Sequence, residues 1–365
     1  MRQSIAIVTT LKQPGNILGS FINYHSKIGF DHIFLFFDDP NDSSIREALQ
    51  YPNVTVVRND DQLKHNWRQT PSYKQYESLG LGIESEVMAR QALNAEVGVQ
   101  LAVEKGIDWL IHLDIDELFY SPSESVQNHF QSLADKGLQR VIYTNFEAVC
   151  ECVDVTDYFK EVTLFKKNRT AINNGVVSEE QRRAIKMTPQ FSSQFFIGYG
   201  SGKSAVRVCK GIITNEVHGF LLPEEQGAIA ALKMKLLGSP VAYVLQSVSP
   251  RYAGRVARFL APARIGFYTT PIILHYPSCG FEYFWSKYVN LGKFPDHWLG
   301  KDDIAKIIGR FHLDARDVVN RGDREAARRF YERRVVMGDN ETTNRLIEMG
   351  LLCRIVEPSH ILAEV

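Results

Sequence analysis

Five short apolar runs alternate with segments of helical periodicity over the first 146 residues, and that alternation leaves few folds open. Ser4–Thr10, His32–Phe37, Val54–Arg58, Trp109–Leu113 and Arg140–Phe146 have the length and β-branched or aromatic content of buried strands. Between the first two, Ile17, Leu18, Phe21, Ile22 and Ile28 recur at helical spacing, with Asn16 placed to cap the helix and Gly29 to close it. Ile45–Leu49 is long enough for a short helix. A longer helix is expected over about Glu84–Lys105, with an apolar stripe of Met88, Ala92, Ala95, Val99 and Ala102 and a stop at Gly106. Arg90 and Asn94 stand four apart on another of its faces. Ser123 is expected to cap a further helix to about Lys136, stopped by Gly137. Strands alternating with helices predict βαβ units and an α/β fold with a mostly parallel sheet.

The run from Trp109 to Leu118 then decides where chemistry belongs. It opens as an apolar strand and ends on Asp114, Asp116 and Glu117. In an open α/β sheet, ligands bind beyond the carboxyl ends of the strands. The same edge is expected to carry Thr9-Thr10 from the first strand and Asp38-Asp39 from the second. Two carboxylates with one residue between them suit magnesium or manganese, which take oxygen ligands and leave positions for substrate phosphates. A metal-bridged nucleotide diphosphate site is the hypothesis; the bland alternative is acids that solvate a loop or cap a helix.

Composition narrows the classes. Forty-two basic and 42 acidic residues cancel, so no global field favours nucleic acid. Five cysteines, an odd number, argue for reduced thiols, and Cys150 and Cys152 are too close for the usual zinc spacing. No run approaches the length of a membrane span, and no secretory pattern opens the chain, so a cytoplasmic location, peripheral to a membrane at most, is expected.

The remainder is less regular. Residues 59 to 83 are polar and aromatic, read as a long loop in which Trp67, Tyr73 and Tyr76 either stack on a sugar or base or pack beneath it. Residues 166 to 190 read as an exposed polar excursion. Gly198–Ser204 invites a phosphate-loop reading, but the spacing fails, since Ile197 stands where the first glycine is required, and a strand rather than a helix follows. Lys203 is left either to meet a phosphate or carboxylate, or to be a solvated lysine in a turn. Ile272–Leu274 is a strand delivering His275, and Phe281, Phe284, Trp285 and Tyr288 share a helix face. Arg251, Arg255 and Arg258 recur at helical spacing. Beyond about residue 300 the chain is charged and helical, its arginines read as a solvated face.

Taken together, Gly29–Leu35 leading to an acidic tip, W-L-I-H-L-D-I-D-E-L at Trp109–Leu118, G-K-S-A-V-R at Gly202–Arg207, and His275-Tyr276 followed by Phe284 and Lys287 resemble the GT-A glycosyltransferases, in particular the family 2-like and family 92-like group once called domain of unknown function 23. The resemblance implies a Rossmann-like mixed sheet in a domain over residues 1–298, with a nucleotide-binding half at 1–118 and an acceptor half at 119–298. A helical extension at 299–365 follows. It implies a nucleotide-diphosphate-sugar donor, a UDP-sugar first among them, a carbohydrate or glycoconjugate acceptor, and a manganese or magnesium ion. On that pattern Asp114 and Asp116 hold metal and ribose, with His275 as a third metal ligand. Asp38 contacts the nucleoside, Thr9 borders it, and Arg90 and Lys287 face the diphosphate, while Lys203 is counted among the donor-binding residues. Glu147 is the first choice for the base that takes the acceptor proton, with His218 and Glu216 as alternatives. Family 92-like enzymes usually carry an amino-terminal anchor, so a Golgi lumen location is not expected here. Two rival classes are a sugar-phosphate nucleotidyltransferase, which would release pyrophosphate, and a non-catalytic sugar-nucleotide or glycan-binding protein, which would bind donor without turning it over.

Overall fold

The computed structural model describes residues 2–78, 80, 82–191, 195–215, 217–223, 265–298 and 302–364. Arg251, Arg255, Arg258 and Glu216 lie outside the described residues. The chain forms two compact units, residues 1–144 with 201–273, and residues 145–200 with 274–365.

The first unit is built on strands β1 (Ile5–Leu11), β2 (His32–Phe37), β3 (Val54–Arg58) and β4 (Trp109–His112). These four are parallel, in the order β3-β2-β1-β4. Helix α1 (Ile17–Ile28) links β1 to β2 and ends at Gly29, whose left-handed φ of 111° stops it as expected. Asn16 occupies the cap position, but its side chain makes no capping bond. The four-residue α2 (Ile45–Ala48) precedes β3.

Residues 59 to 83 are not a loop. They form α3 (Asp61–Arg68) and α4 (Pro71–Ser78). Asp60 caps α3 by accepting from Leu63 N. Leu63, Trp67 and Tyr76 are buried, and Trp67 Nε1 donates to Asn94 Oδ1 at 2.8 Å, so Trp67 and Tyr76 serve packing. Helix α5 (Val87–Lys105) buries Asn94 and Glu96 along with its expected apolar stripe, except half-buried Met88. Glu96 is held by Ser72 and by Thr214 N at 2.8 Å, which fixes α4 and a later hairpin to α5.

After the acids the chain enters β5 (Glu117–Tyr120), a strand that follows the acidic turn directly. Helix α6 (Val126–Asp135) is capped by Ser125, not Ser123, because Ser125 is the residue whose hydroxyl reaches Asn128 N. Strand β6 (Arg140–Ala148) follows. The helix α7 (Tyr158–Glu161), β7 (Leu164–Lys166) and α8 (Glu179–Met187) then lie in the second unit. Residues 166 to 190 are therefore ordered. A capping box at Ser178 starts α8, and Ile185 joins a core with Val149, Leu164, Phe191, Phe195, Leu346 and Leu352.

Strand β8 (Lys203–Arg207) returns to the first unit and lies antiparallel between β4 and β6. The hairpin β9 (Ile213–Asn215) and β10 (Gly219–Leu221) supports it, and β11 (Ile265–His275) pairs with β5 and β6. The result is the mixed α/β sheet that the resemblance implies, parallel on one side and antiparallel on the other, where strand–helix alternation alone predicts a mostly parallel one.

The second unit also carries the helix Phe281–Leu291, the short pair β12 (His297–Trp298) and β13 (Asp302–Asp303), and the helices that follow. Its last stretch is not purely helical: β14 (Leu352–Arg354) pairs antiparallel with β7. Among the described residues no helix is long and apolar enough to cross a membrane. None of the five cysteines forms a disulfide.

Candidate active site

Parallel pairing sets the chemistry of the first unit. Val8 faces His112 and Thr9 faces Leu35, so the ends of β1, β2 and β4 come out together. Asp38 follows β2 and is fixed by its amide, which donates to Leu11 O at 2.8 Å. Asp114 and Asp116 occupy the turn between β4 and β5. Thr9 is fully buried, and its hydroxyl has no partner among the described residues.

Arg90 and Asp38 form a two-pronged pair, Nε to Oδ1 at 2.6 Å and Nη2 to Oδ2 at 2.7 Å. The third arm of the guanidinium donates to Glu84 O at 2.6 Å. Both side chains are largely shielded. Arg90 therefore orients Asp38; its charge is engaged by that carboxylate.

The centre of the acidic edge holds a lysine. Lys203 Nζ is 2.7 Å from Asp114 Oδ2 and 3.6 Å from Glu117 Oε2, and it has no exposure at all. Register explains its place. Ala205 faces Ile111 across antiparallel β4 and β8, so Lys203 comes level with the acidic end of β4. Gly202 makes the approach possible. Its φ is +78°, and a Cβ there would sit 1.9 Å from Tyr143 O. Burial alone would lower the Lys203 pKa, but the neighbouring Asp114 and Glu117 carboxylates outweigh it and raise it. Lys203 is thus charged, and it meets a carboxylate. The reading of a solvated lysine in a turn is overturned.

Asp114 is correspondingly held below the ordinary carboxylate range: its burial pushes upward, and the charge and hydrogen bond of Lys203 outweigh it and pull it down. Its amide donates to Glu117 Oε2 at 2.8 Å, and Gln91 Nε2 approaches Oδ1 at 3.3 Å. Burial, with Lys203 beside it, pushes His112 down to about 3, so it is neutral. Asp116 is buried at the same turn and adds to the field on Lys203. His218, half-buried before β10, is close enough to act on Asp114.

The implied metal ion would draw on Asp114 and Asp116. The donors fit in kind: they are hard carboxylate oxygens, and Asp114, Asp116 and Glu117 against one ammonium leave two formal negative charges at this edge. Among the described residues no three His, Cys, Asp or Glu side chains converge as a ligand group. The remaining positions of such an ion would fall to phosphates and water.

The other expected residues belong to the second unit. Glu147 is fully buried and accepts from Lys166 Nζ at 2.7 Å, Ile197 N at 2.9 Å and Gly198 N at 2.7 Å. A carboxylate so engaged holds a segment in place. Gly198 lies against it; a Cβ there would be 2.7 Å from His275 Cε1. His275 is buried at the end of β11 beside the Tyr199 ring, 4.9 Å between centroids. Lys287 Nζ donates to Pro277 O at 2.9 Å. The Lys166–Glu147 pair escaped sequence reasoning; two lysines, Lys166 and Lys167, ending a short β-run were its faint signal.

No protein-family model matches the chain. Over 94% of its length it is 25% identical to a protein of Arabidopsis thaliana named glycosyltransferase-like, of which it covers 68%. A second glycosyltransferase-like protein of the same plant is 28% identical over 54% of the chain, which covers 39% of that relative. These relatives place the chain beside glycosyltransferase-like proteins. Among solved structures, core-mannan synthase A from Aspergillus fumigatus in its Mn/GDP form is 9% identical, with 73% of each chain covered and a TM-score of 0.31. A 4-diphosphocytidyl-2C-methyl-D-erythritol synthase is 12% identical over 74% of this chain and 90% of its own, with a TM-score of 0.29. Both superpositions are loose.

Proposed function

We propose that the protein is a glycosyltransferase that moves a sugar from a nucleotide diphosphate to a hydroxyl group of a carbohydrate or glycoconjugate. The observation that carries this reading is the common edge of β1, β2 and β4, which collects Asp38, Asp114 and Asp116 beside a buried hydroxyl. The glycosyltransferase-like names of the relatives support it.

In this reading Asp38, oriented by Arg90, accepts hydrogen bonds from the nucleoside, and Thr9 borders it. Asp114 and Asp116 would hold a manganese or magnesium ion and the ribose. Such an ion would supply positive charge opposite the departing diphosphate. Inversion by single displacement requires one group to take the acceptor proton. Imidazole commonly does this work. Glu147 has its carboxylate engaged by three N–H groups, so His218 is assigned the role.

A thermal-shift screen of nucleoside diphosphates and nucleotide sugars, with and without manganese, tests the reading. UDP and its sugars come first. Ligands that bind only the folded state raise its melting temperature. A manganese-dependent shift with one nucleotide, lost in Asp116→Asn, supports the proposal. A folded protein that no nucleotide diphosphate stabilises refutes it.

A further inference from the structure

The acidic edge already contains a cation. Lys203 Nζ touches Asp114 Oδ2 at 2.7 Å, lies 3.6 Å from Glu117 Oε2, and donates to Val217 O at 3.4 Å. Glu117 Oε2 also receives the amide of Asp114, so lysine, acid and turn are tied into one unit. From these contacts we infer that Lys203 bars a bare divalent ion from Asp114, and that the ion enters only in company with the nucleotide diphosphate. The inference rests on the donor proposed above for its second half alone.

Two physical arguments lead to it. An ion seeking Asp114 Oδ2 must share that oxygen with a fixed ammonium 2.7 Å away, and like charges so close repel. The lysine cannot step aside at low cost. Its backbone is locked opposite Tyr143 in the sheet, Gly202 is pressed against Tyr143 O, and its departure would take from buried Glu117 a cation 3.6 Å away. The protein by itself also brings too few ligands, since no three metal-binding side chains converge among the described residues. A diphosphate adds oxygens of its own and further negative charge, which tips the balance. Linkage is reciprocal, so the ion must tighten the nucleotide by the same factor that the nucleotide tightens the ion.

The test is direct binding of manganese to the full chain, followed by the electron paramagnetic resonance signal of the free ion. Wild type, Lys203→Met and Lys203→Arg are compared, alone and with UDP or GDP. Wild type and Lys203→Arg are expected to leave bare manganese free, and wild type to take it up when one of the two nucleotides is present. Lys203→Met is expected to bind bare manganese about tenfold or more tighter than wild type, a difference of about 1.4 kcal/mol. Its melting temperature should rise with manganese alone, which wild type's should not. Uptake of bare manganese by wild type overturns the inference, whatever the variants do. If Lys203→Met gains the ion but neither nucleotide draws it into wild type, the exclusion by Lys203 stands and the proposed donor falls.

Discussion

Lys166 and Glu147 face each other across the β6–β7 pairing at 2.7 Å, both closed off from solvent. The same carboxylate anchors the amides of Ile197 and Gly198, so one buried ion pair fixes a segment that lies against His275. Removing one partner of such a pair strands a charge, at a cost of about 3–5 kcal/mol. Lys166→Met and Glu147→Gln should each lower the melting temperature by several degrees. The double replacement by apolar residues should recover much of that loss. Glu147→Gln that folds with wild-type stability but has no activity would restore Glu147 as a base.

Gly198→Ala probes the same junction without touching charge. The added methyl meets His275 Cε1 at 2.7 Å and Glu147 Oε2 at 3.1 Å. Overpacking of this kind costs about 1–3 kcal/mol. A denaturant melt that leaves the midpoint unchanged would mean that the segment shifts freely.

Arg90→Lys keeps the charge and loses the fork. Charge-assisted hydrogen bonds contribute about 1.5–3 kcal/mol each, and one lysine cannot reproduce two parallel ones to Asp38. Weaker donor binding with little change in kcat is expected, measured as a raised KM for the nucleotide sugar. An unchanged KM would remove Asp38 from the nucleoside site.

Asp116→Asn should retain the fold by circular dichroism while transfer drops by about a hundredfold or more, the scale of losing a preorganised electrostatic group. Transfer at wild-type rate in that variant would end the metal reading of this edge.

Acid sensitivity has an identifiable source. Burial lowers His25 to about 3 and His32 to about 4, from 6.5. His25 is held neutral between Phe21 O at Nδ1 and Phe119 N at Nε2. The unfolded chain takes up these protons below about pH 6.5 and the folded one does not. Stability is therefore full above that pH and declines as pH falls toward 3–4. The melting temperature should fall across that window, less steeply in His25→Gln. Equal slopes would assign the acid loss elsewhere.

Periodicity made the parallel half of the sheet legible: apolar runs, Gly29 and Gly106 as stops, and acids after the strands all stand where they were read. Residues 59 to 83 misled because their helices are polar outside and dock through a few residues, Leu63, Trp67 and Tyr76, too sparse to register as a stripe. Pairings were out of reach. Lys203 and Asp114 lie 89 residues apart, and Lys166 and Glu147 meet only because β7 pairs with the end of β6. Local sequence reports what an element is; it does not report which element comes beside it. Arg90 shows the limit well, since its place four residues before Asn94 was plain and its engagement with Asp38 was not.

Strand β8 sits between β4 and β6, yet it is synthesised after both. A nascent chain that has emerged only as far as residue 200 therefore presents two open strand edges where the finished sheet has none, and such edges recruit other chains. The acids at Asp114 and Glu117 wait for Lys203 through the same interval. Closing the sheet and bringing a cation to these acids both wait for β8, and a truncation that ends short of β8 forfeits both.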